Sequence, residues 1–172
     1  MTKSKTYILD TSAILSGKFL NLDDAELFTT NSVSKEINPG GRDYQNFQFL
    51  KEKVLTILSP SKKSVTYVKD KSADTGDIDR LSDTDLDILS LAYQLKNDNK
   101  DPIILTDDFS IQNVAEFLKL RYKGINQKII TKKLIWTYRC RGCGKKFEDN
   151  IKICPICGAN TKKIVSSEER IV

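Results

Sequence analysis

The chain has 172 residues, 39% apolar and 30% charged, and a formal net charge of +5. That length holds one α/β domain of ordinary size with a small appendage. No apolar run approaches the ~20 residues that a membrane span needs, and the polar start MTKSK is not that of a signal peptide. The chain has no histidine, which removes histidine bases, Ser-His and Cys-His nucleophiles and histidine metal ligands. Chemistry is left to carboxylates, hydroxyls, lysines or metals. No membrane role is expected, and the expected compartment is the cytoplasm, where four cysteines bind metal more readily than they form disulfides.

In chain order, Tyr7-Ile8-Leu9 reads as a buried strand that stops abruptly at Asp10-Thr11-Ser12. Ala13, Ile14 and Leu15 then read as the first turn of a helix capped by Thr11 or Ser12. At the carboxyl end of a parallel strand Asp10 lies at the mouth of any active site, although Asp is also among the commonest helix caps. Residues 27–30 form a short strand-like run, and 33–37 a helix start capped by Asn31 or Ser32, with Glu36 on its first turns. Asn38-Pro39-Gly40-Gly41 breaks that helix, and 42–48 is polar enough for a loop. Phe47, Phe49, Leu50 and Val54 have helical spacing. Residues 55–58 and 65–68 read as strands, followed by a polar loop over 70–79.

The next signal is clearer. Leu81-Ser82-Asp83-Thr84-Asp85 begins a helix, with Ser82 and Asp85 spaced as a variant capping box. Leu86, Leu89, Leu91, Ala92 and Leu95 form its buried stripe. Ile103-Ile104-Leu105 is another buried strand, which stops at Thr106-Asp107-Asp108 and so echoes the first. Ile111, Val114, Ala115 and Leu118 mark the helix that follows. Strands alternating with helices imply an α/β fold in three layers around a mainly parallel sheet.

Acids thus gather at comparable places: Asp10 and the pair Asp107/Asp108 just after strands, Glu36 and Asp85 early in helices. Carboxylates crowded at one sheet edge raise one another's pKa unless a cation sits between them. Mg²⁺ or Mn²⁺ suits an all-oxygen site, and two such ions can clamp a phosphodiester for in-line attack by water. No G-x-x-x-x-G-K-[ST] phosphate loop is present, and Ser12 stands where a D-x-D phosphatase needs its second acid.

Cys140-Arg141-Gly142-Cys143 and Cys154-Pro155-Ile156-Cys157 are paired C-x₂-C knuckles, each second cysteine followed by a glycine, Gly144 or Gly158. Four thiolates favour tetrahedral Zn²⁺ in a closed structural site, with a rubredoxin-like iron or a redox dithiol as alternatives. A ribbon of about thirty residues cannot fold on its own core without the metal. Charge is segregated along the chain. Seven aspartates lie between Asp70 and Asp87, whereas ten Lys or Arg and no acid lie between Phe117 and Phe147, a pattern that suits a cation in one zone and a polyanion in the other. Lys132, Lys133, Arg139, Arg141, Lys145 and Lys146 can contact phosphates, while Trp136 and Tyr138 offer faces for unpaired bases or else pack between domains.

The order LDTSAIL, SVSKEI, LSDTDLDILSLA, ILTDDFSIQNVA is similar to that of PIN-domain metal-dependent ribonucleases. The IQN after TDDF, together with the C-terminal ribbon, resembles the NIN-one-binding family of ribosome-assembly nucleases in its short archaeal form. The resemblance implies cleavage of precursor small-subunit rRNA at its 3′ end, on the assembling small subunit and beside other assembly factors. It places the family's four acids on Asp10, Glu36, Asp85 and one of Asp107/Asp108. The Thr-x-Asp pattern favours Asp108, with Asp107 as an auxiliary, and Ser12 and Thr106 match hydroxyls that orient the acids. The expected organisation is a PIN-like domain over 1–133, a zinc ribbon over 134–165 and a polar tail over 166–172. A non-catalytic rRNA-binding assembly factor and a toxin-like PIN ribonuclease are the rival functions.

Overall fold

Ile8 and Leu9 are wholly buried, as a near-continuous apolar run must be when helices cover a parallel sheet. They lie on β1 (Lys5–Leu9) in a computed structural model that describes residues 4–17, 25–126 and 128–171. The partners of β1 are β2 (Ala25–Thr30), β3 (Leu55–Leu58), β4 (Pro102–Leu105) and β5 (Arg121–Lys123), all parallel, in the order β3-β2-β1-β4-β5. The chain winds outward from β1 to β3, then returns across β1 to β4. That reversal puts the topological switch point between β1 and β4, where open α/β sheets bind ligands. Leu9 and Leu105 end the two strands in register, and the Asp10 amide donates to the Leu105 carbonyl at 3.2 Å.

The helices are α1 (Thr11–Ser16), α2 (Asn31–Glu36), α3 (Gly41–Lys53), α4 (Lys62–Thr75), α5 (Asp83–Asn97) and α6 (Phe109–Phe117), with a 3₁₀ turn at Ile78–Arg80. Helix α5 packs on β1, β2 and β4. Its capping box is complete in both directions: Asp85 N–H donates to the Ser82 hydroxyl, and Ser82 N–H to the Asp85 carboxylate.

Local readings fail where β-branched or polar runs meet tertiary context. Residues 65–68, expected as a strand, lie inside α4. Ser61 caps that helix, and Ser64, Val68 and Ser72 bury one face at helical spacing. Residues 42–48, expected as a loop, belong to α3, a surface helix that buries only Phe47 and Leu50. Caps sit one residue earlier than expected: Asp10 caps α1, and Thr30 caps α2 by accepting Val33 N–H. β5 escaped prediction because its three residues, Arg-Tyr-Lys, form a polar edge strand.

Beyond β5 a three-stranded antiparallel sheet runs in the order β7-β6-β8, with β6 at Lys132–Cys140, β7 at Lys146–Phe147 and β8 at Thr161–Arg170. This sheet takes in residues on both sides of the expected 133/134 boundary. The expected tail is not loose, since β8 continues to Arg170 and pairs Ser167 through Arg170 with Ile135 through Lys132; its last residue, Val172, lies outside the described residues. Cross-strand Lys–Glu pairs, Lys132–Glu168 and Lys133–Glu169, suit so polar a ladder. Among the described residues, no helix is long and apolar enough to cross a membrane.

Candidate active site and metal centre

Asp10 leaves β1 at the switch point and is held from several sides. Its Oδ2 accepts the hydroxyls of Ser12 at 3.0 Å and Thr106 at 2.8 Å, and its Oδ1 accepts Thr11 N–H at 2.6 Å. Three of its roughly four acceptor positions are therefore taken, which fixes the carboxylate and leaves one lone pair for another partner. Thr106, wholly buried at the end of β4, also accepts Asp108 N–H at 3.0 Å. One hydroxyl thus ties Asp10 to the start of α6, where Asp108 caps Ser110 and Ile111. Glu36, at the end of α2, accepts the Thr11 hydroxyl, and Asp85 comes in from the first turn of α5.

Hydrogen bonds and charge link these four acids in pairs: Thr106 joins Asp10 to Asp108, Thr11 joins Asp10 to Glu36, and Asp85 feels the charges of Glu36 and Asp108. Burial raises the Asp10 pKa above the ordinary carboxylate value; hydrogen bonds from Thr106, Ser12 and Thr11 pull it back, and the charge of Asp85 pushes it up. Asp85 is likewise raised by burial, against its bonds from Ser82, with Asp108 and Glu36 adding like-charge repulsion.

Asp107 is aimed elsewhere. Its carboxylate accepts Ile125 N–H at 2.7 Å together with the backbone and side-chain amides of Asn126, while its own amide donates to Ser12 Oγ at 3.4 Å. It pins the segment after β5 against the sheet edge. Asp108, at the start of α6, adds its charge to that felt by Asp85.

Two residues of the IQN triplet prove to be brackets that sequence reasoning did not assign. Buried Gln112 donates to the Thr106 carbonyl at 3.0 Å and accepts Ile130 N–H at 2.9 Å. Asn113 holds Asp77 and both backbone groups of Leu134. The only local signal was an amide pair at positions that a helix of this pattern buries. Thr11 was also missed as the partner of Glu36, because α1 and α2 meet only in the folded sheet.

The four cysteines converge as their spacing predicts. Their sulfurs all lie within 4.8 Å of one another, with Cys140–Cys157 at 3.4 Å and Cys143–Cys154 at 3.7 Å. A tetrahedron of thiolates at a metal–sulfur distance of about 2.3 Å has edges of about 3.8 Å, so the cage is of the size to hold one metal ion. Gly144 and Gly158 take φ of 76° and 72°, the left-handed turn that wraps each knuckle. Gly142 donates its amide to Cys140 Sγ at 3.3 Å.

The basic segment divides in two. Arg139, Arg141, Lys145 and Lys146 are exposed around the knuckles. Lys132 and Lys133 pair across the ladder instead, and Lys133 also lies over the Phe117 ring. Tyr138 is buried with its hydroxyl donating to Asp79 at 2.6 Å. Trp136 has Arg80 over its ring at 5.0 Å and Lys163 at 5.5 Å. Tyr138 thus reaches the nuclease domain through its hydroxyl, and half-buried Trp136 lies between Arg80 of that domain and Lys163 of β8.

A five-stranded parallel sheet with acids following its β1 and β4 strands, joined to a four-cysteine ribbon, is the architecture of a PIN-like nuclease. Residues 7–95 match the family described as the PIN domain of ribonuclease. Ribonuclease VapC1 of Thermoplasma acidophilum is 41% identical over 157 residues, covering 91% of this chain and 77% of its own. Endoribonuclease Nob1 of Pyrococcus abyssi is 34% identical over 160 residues (91% of this chain, 92% of its own), and that of Archaeoglobus fulgidus 34% over 155 (90% and 88%). The chain belongs to the PIN-domain endoribonucleases of the Nob1-like kind. Matches over nine-tenths of the chain cannot end with the nuclease domain, so these relatives extend into the ribbon region as well.

Proposed function

We propose that the protein is a Mg²⁺- or Mn²⁺-dependent endoribonuclease that cuts precursor small-subunit rRNA at its 3′ end on the assembling subunit. The linkage of Asp10 to Asp108 through Thr106 and to Glu36 through Thr11, with Asp85 close enough to feel Glu36 and Asp108, carries this reading. Two of these acids are raised by burial and mutual repulsion, a strain that a divalent cation relieves, and an all-oxygen donor set suits a hard ion. A divalent ion held there would supply a nucleophilic water at neutral pH and offset charge developing on the phosphodiester. Ser12 and Thr106 keep the Asp10 carboxylate from rotating, and Glu36, Asp85 and Asp108 would complete the donor set. Asp107 fixes the rim.

The ribbon is proposed to hold one structural Zn²⁺ through Cys140, Cys143, Cys154 and Cys157, and to offer Arg139, Arg141, Lys145 and Lys146 to RNA phosphates. Relatives named Nob1, aligned over nearly their full lengths, support the rRNA substrate over a general one. The relative named VapC1 favours a second reading, a toxin-like ribonuclease, but its match also reaches the ribbon. Incubating the purified protein with a precursor small-subunit 3′ fragment, with and without Mn²⁺, tests the proposal. Cleavage at one position only with metal is expected. Indiscriminate cutting of unrelated RNA would favour the toxin-like reading, and tight binding without any cut would favour a docking factor.

A further inference from the structure

The ribbon does not hang on a tether. Asn113, on the helix that Asp108 caps, is 5% exposed. It accepts Leu134 N–H at 2.7 Å and donates to the Leu134 carbonyl at 2.8 Å, standing in for a ladder partner at the start of β6. The same amide group donates to Asp77 at 2.6 Å. Asp77, only 1% exposed, follows the end of α4, where Gly76 offers its carbonyl to Lys163 of β8 at 2.6 Å. Gly76 itself leaves no room: a Cβ there would come within 2.9 Å of the Trp136 carbonyl. These contacts are polar and largely buried, so water competes with them less than with a surface ion pair.

We infer that Asp77, Asn113 and Lys163 form a latch that locks the ribbon at one orientation to the four acids, and that this fixed offset selects which phosphodiester is cut. The inference rests on the nuclease reading above. RNA phosphates held at the ribbon lie at a set distance from Asp108, because the helix that presents Asp108 is the helix that grips Leu134 through Asn113. The three latch residues act through position and touch no reacting atom.

The test uses full-length wild type, Asn113→Asp and Lys163→Met. The first variant keeps size but cannot donate to the Leu134 carbonyl and sets a carboxylate against Asp77; the second keeps length without the charge. Amide relaxation should give one tumbling time for both parts of the wild type and two in each variant. On an oligonucleotide too short to reach the ribbon, both variants should cleave within about twofold of wild type. On the long precursor fragment, preference for the main position should fall at least about fivefold, with new cuts at neighbouring phosphodiesters. Unchanged cut positions in variants whose ribbon tumbles freely would overturn the inference. So would two tumbling times in the wild type, or loss of the short-substrate activity. A wild type inert on both RNAs would instead overturn the nuclease reading and, with it, the latch's role in cut choice, while the relaxation arm still reads the latch itself.

Discussion

Thr106→Val removes one hydroxyl and almost no volume. That hydroxyl donates to Asp10 at 2.8 Å and accepts Asp108 N–H at 3.0 Å, so a single methyl unties both acids. A hydrogen bond to a charged acceptor contributes about 1.5–3 kcal/mol, and a buried amide left unpaired costs about 1–3 kcal/mol. Asp10 keeps Ser12 and Thr11 as donors, and Asp108 lies at an exposed helix start where water can reach. The sum therefore falls toward the low end, about 3 kcal/mol. Urea unfolding followed by fluorescence should show that loss as a lower midpoint at unchanged slope. Cleavage should fall by more than about tenfold, because misaligned acids weaken the transition state beyond what stability reports, and Thr106→Ser should restore both. A Thr106→Val protein within about 0.5 kcal/mol of wild type and equally active would refute the idea that this hydroxyl couples the two strands' acids.

Separate substitutions should split the adjacent pair: Asp108→Asn should lose metal-dependent cleavage far more than Asp107→Asn, whose main effect is loosening of the segment at 125–126, seen as faster amide exchange there. Elemental analysis should find one Zn²⁺ per chain, and Cys140→Ser should release it and unfold the knuckles while far-UV dichroism of the α/β domain persists; iron, or no metal, would contradict the assignment. Alkaline titration of phenolate absorbance should leave Tyr122 and Tyr138 largely protonated at pH 11. Burial and Asp79 push Tyr138 up to about 12, and burial and Glu116 push Tyr122 up as well. A pKa raised on folding stabilises below the unfolded value of about 10 and is lost as pH climbs through the folded value, so stability should fall over that window, less steeply in Tyr138→Phe.

What the sequence made legible was local chemistry. Asp10 and Ser12, or Thr106 and Asp108, sit within a few residues of one another, so strand, acid and hydroxyl could be read together. The cysteines obeyed a chelation spacing, and Ser82 with Asp85 a capping one. Long-range pairing stayed hidden. Asp77 and Asn113 are 36 residues apart, and nothing near either names the other. The alternating Val and Tyr of α4 carry strand propensity that the Ser61 cap and the burial of Ser64, Val68 and Ser72 override. Lys132 and Lys133 read as phosphate contacts because their partners, Glu168 and Glu169, lay in a segment too polar to suggest a strand.

The central claim is that four carboxylates at the β1–β4 switch point make this protein a metal-dependent nuclease. Asp10→Asn tests it most directly, since the amide keeps the size of the side chain but removes the charge, and with it one of the two accepting oxygens, at the best-held corner of the site. The variant should still unfold cooperatively and bind the precursor 3′ fragment with affinity close to wild type, while its Mn²⁺-dependent cleavage should be abolished. Cleavage by Asp10→Asn within about tenfold of wild type would contradict the account.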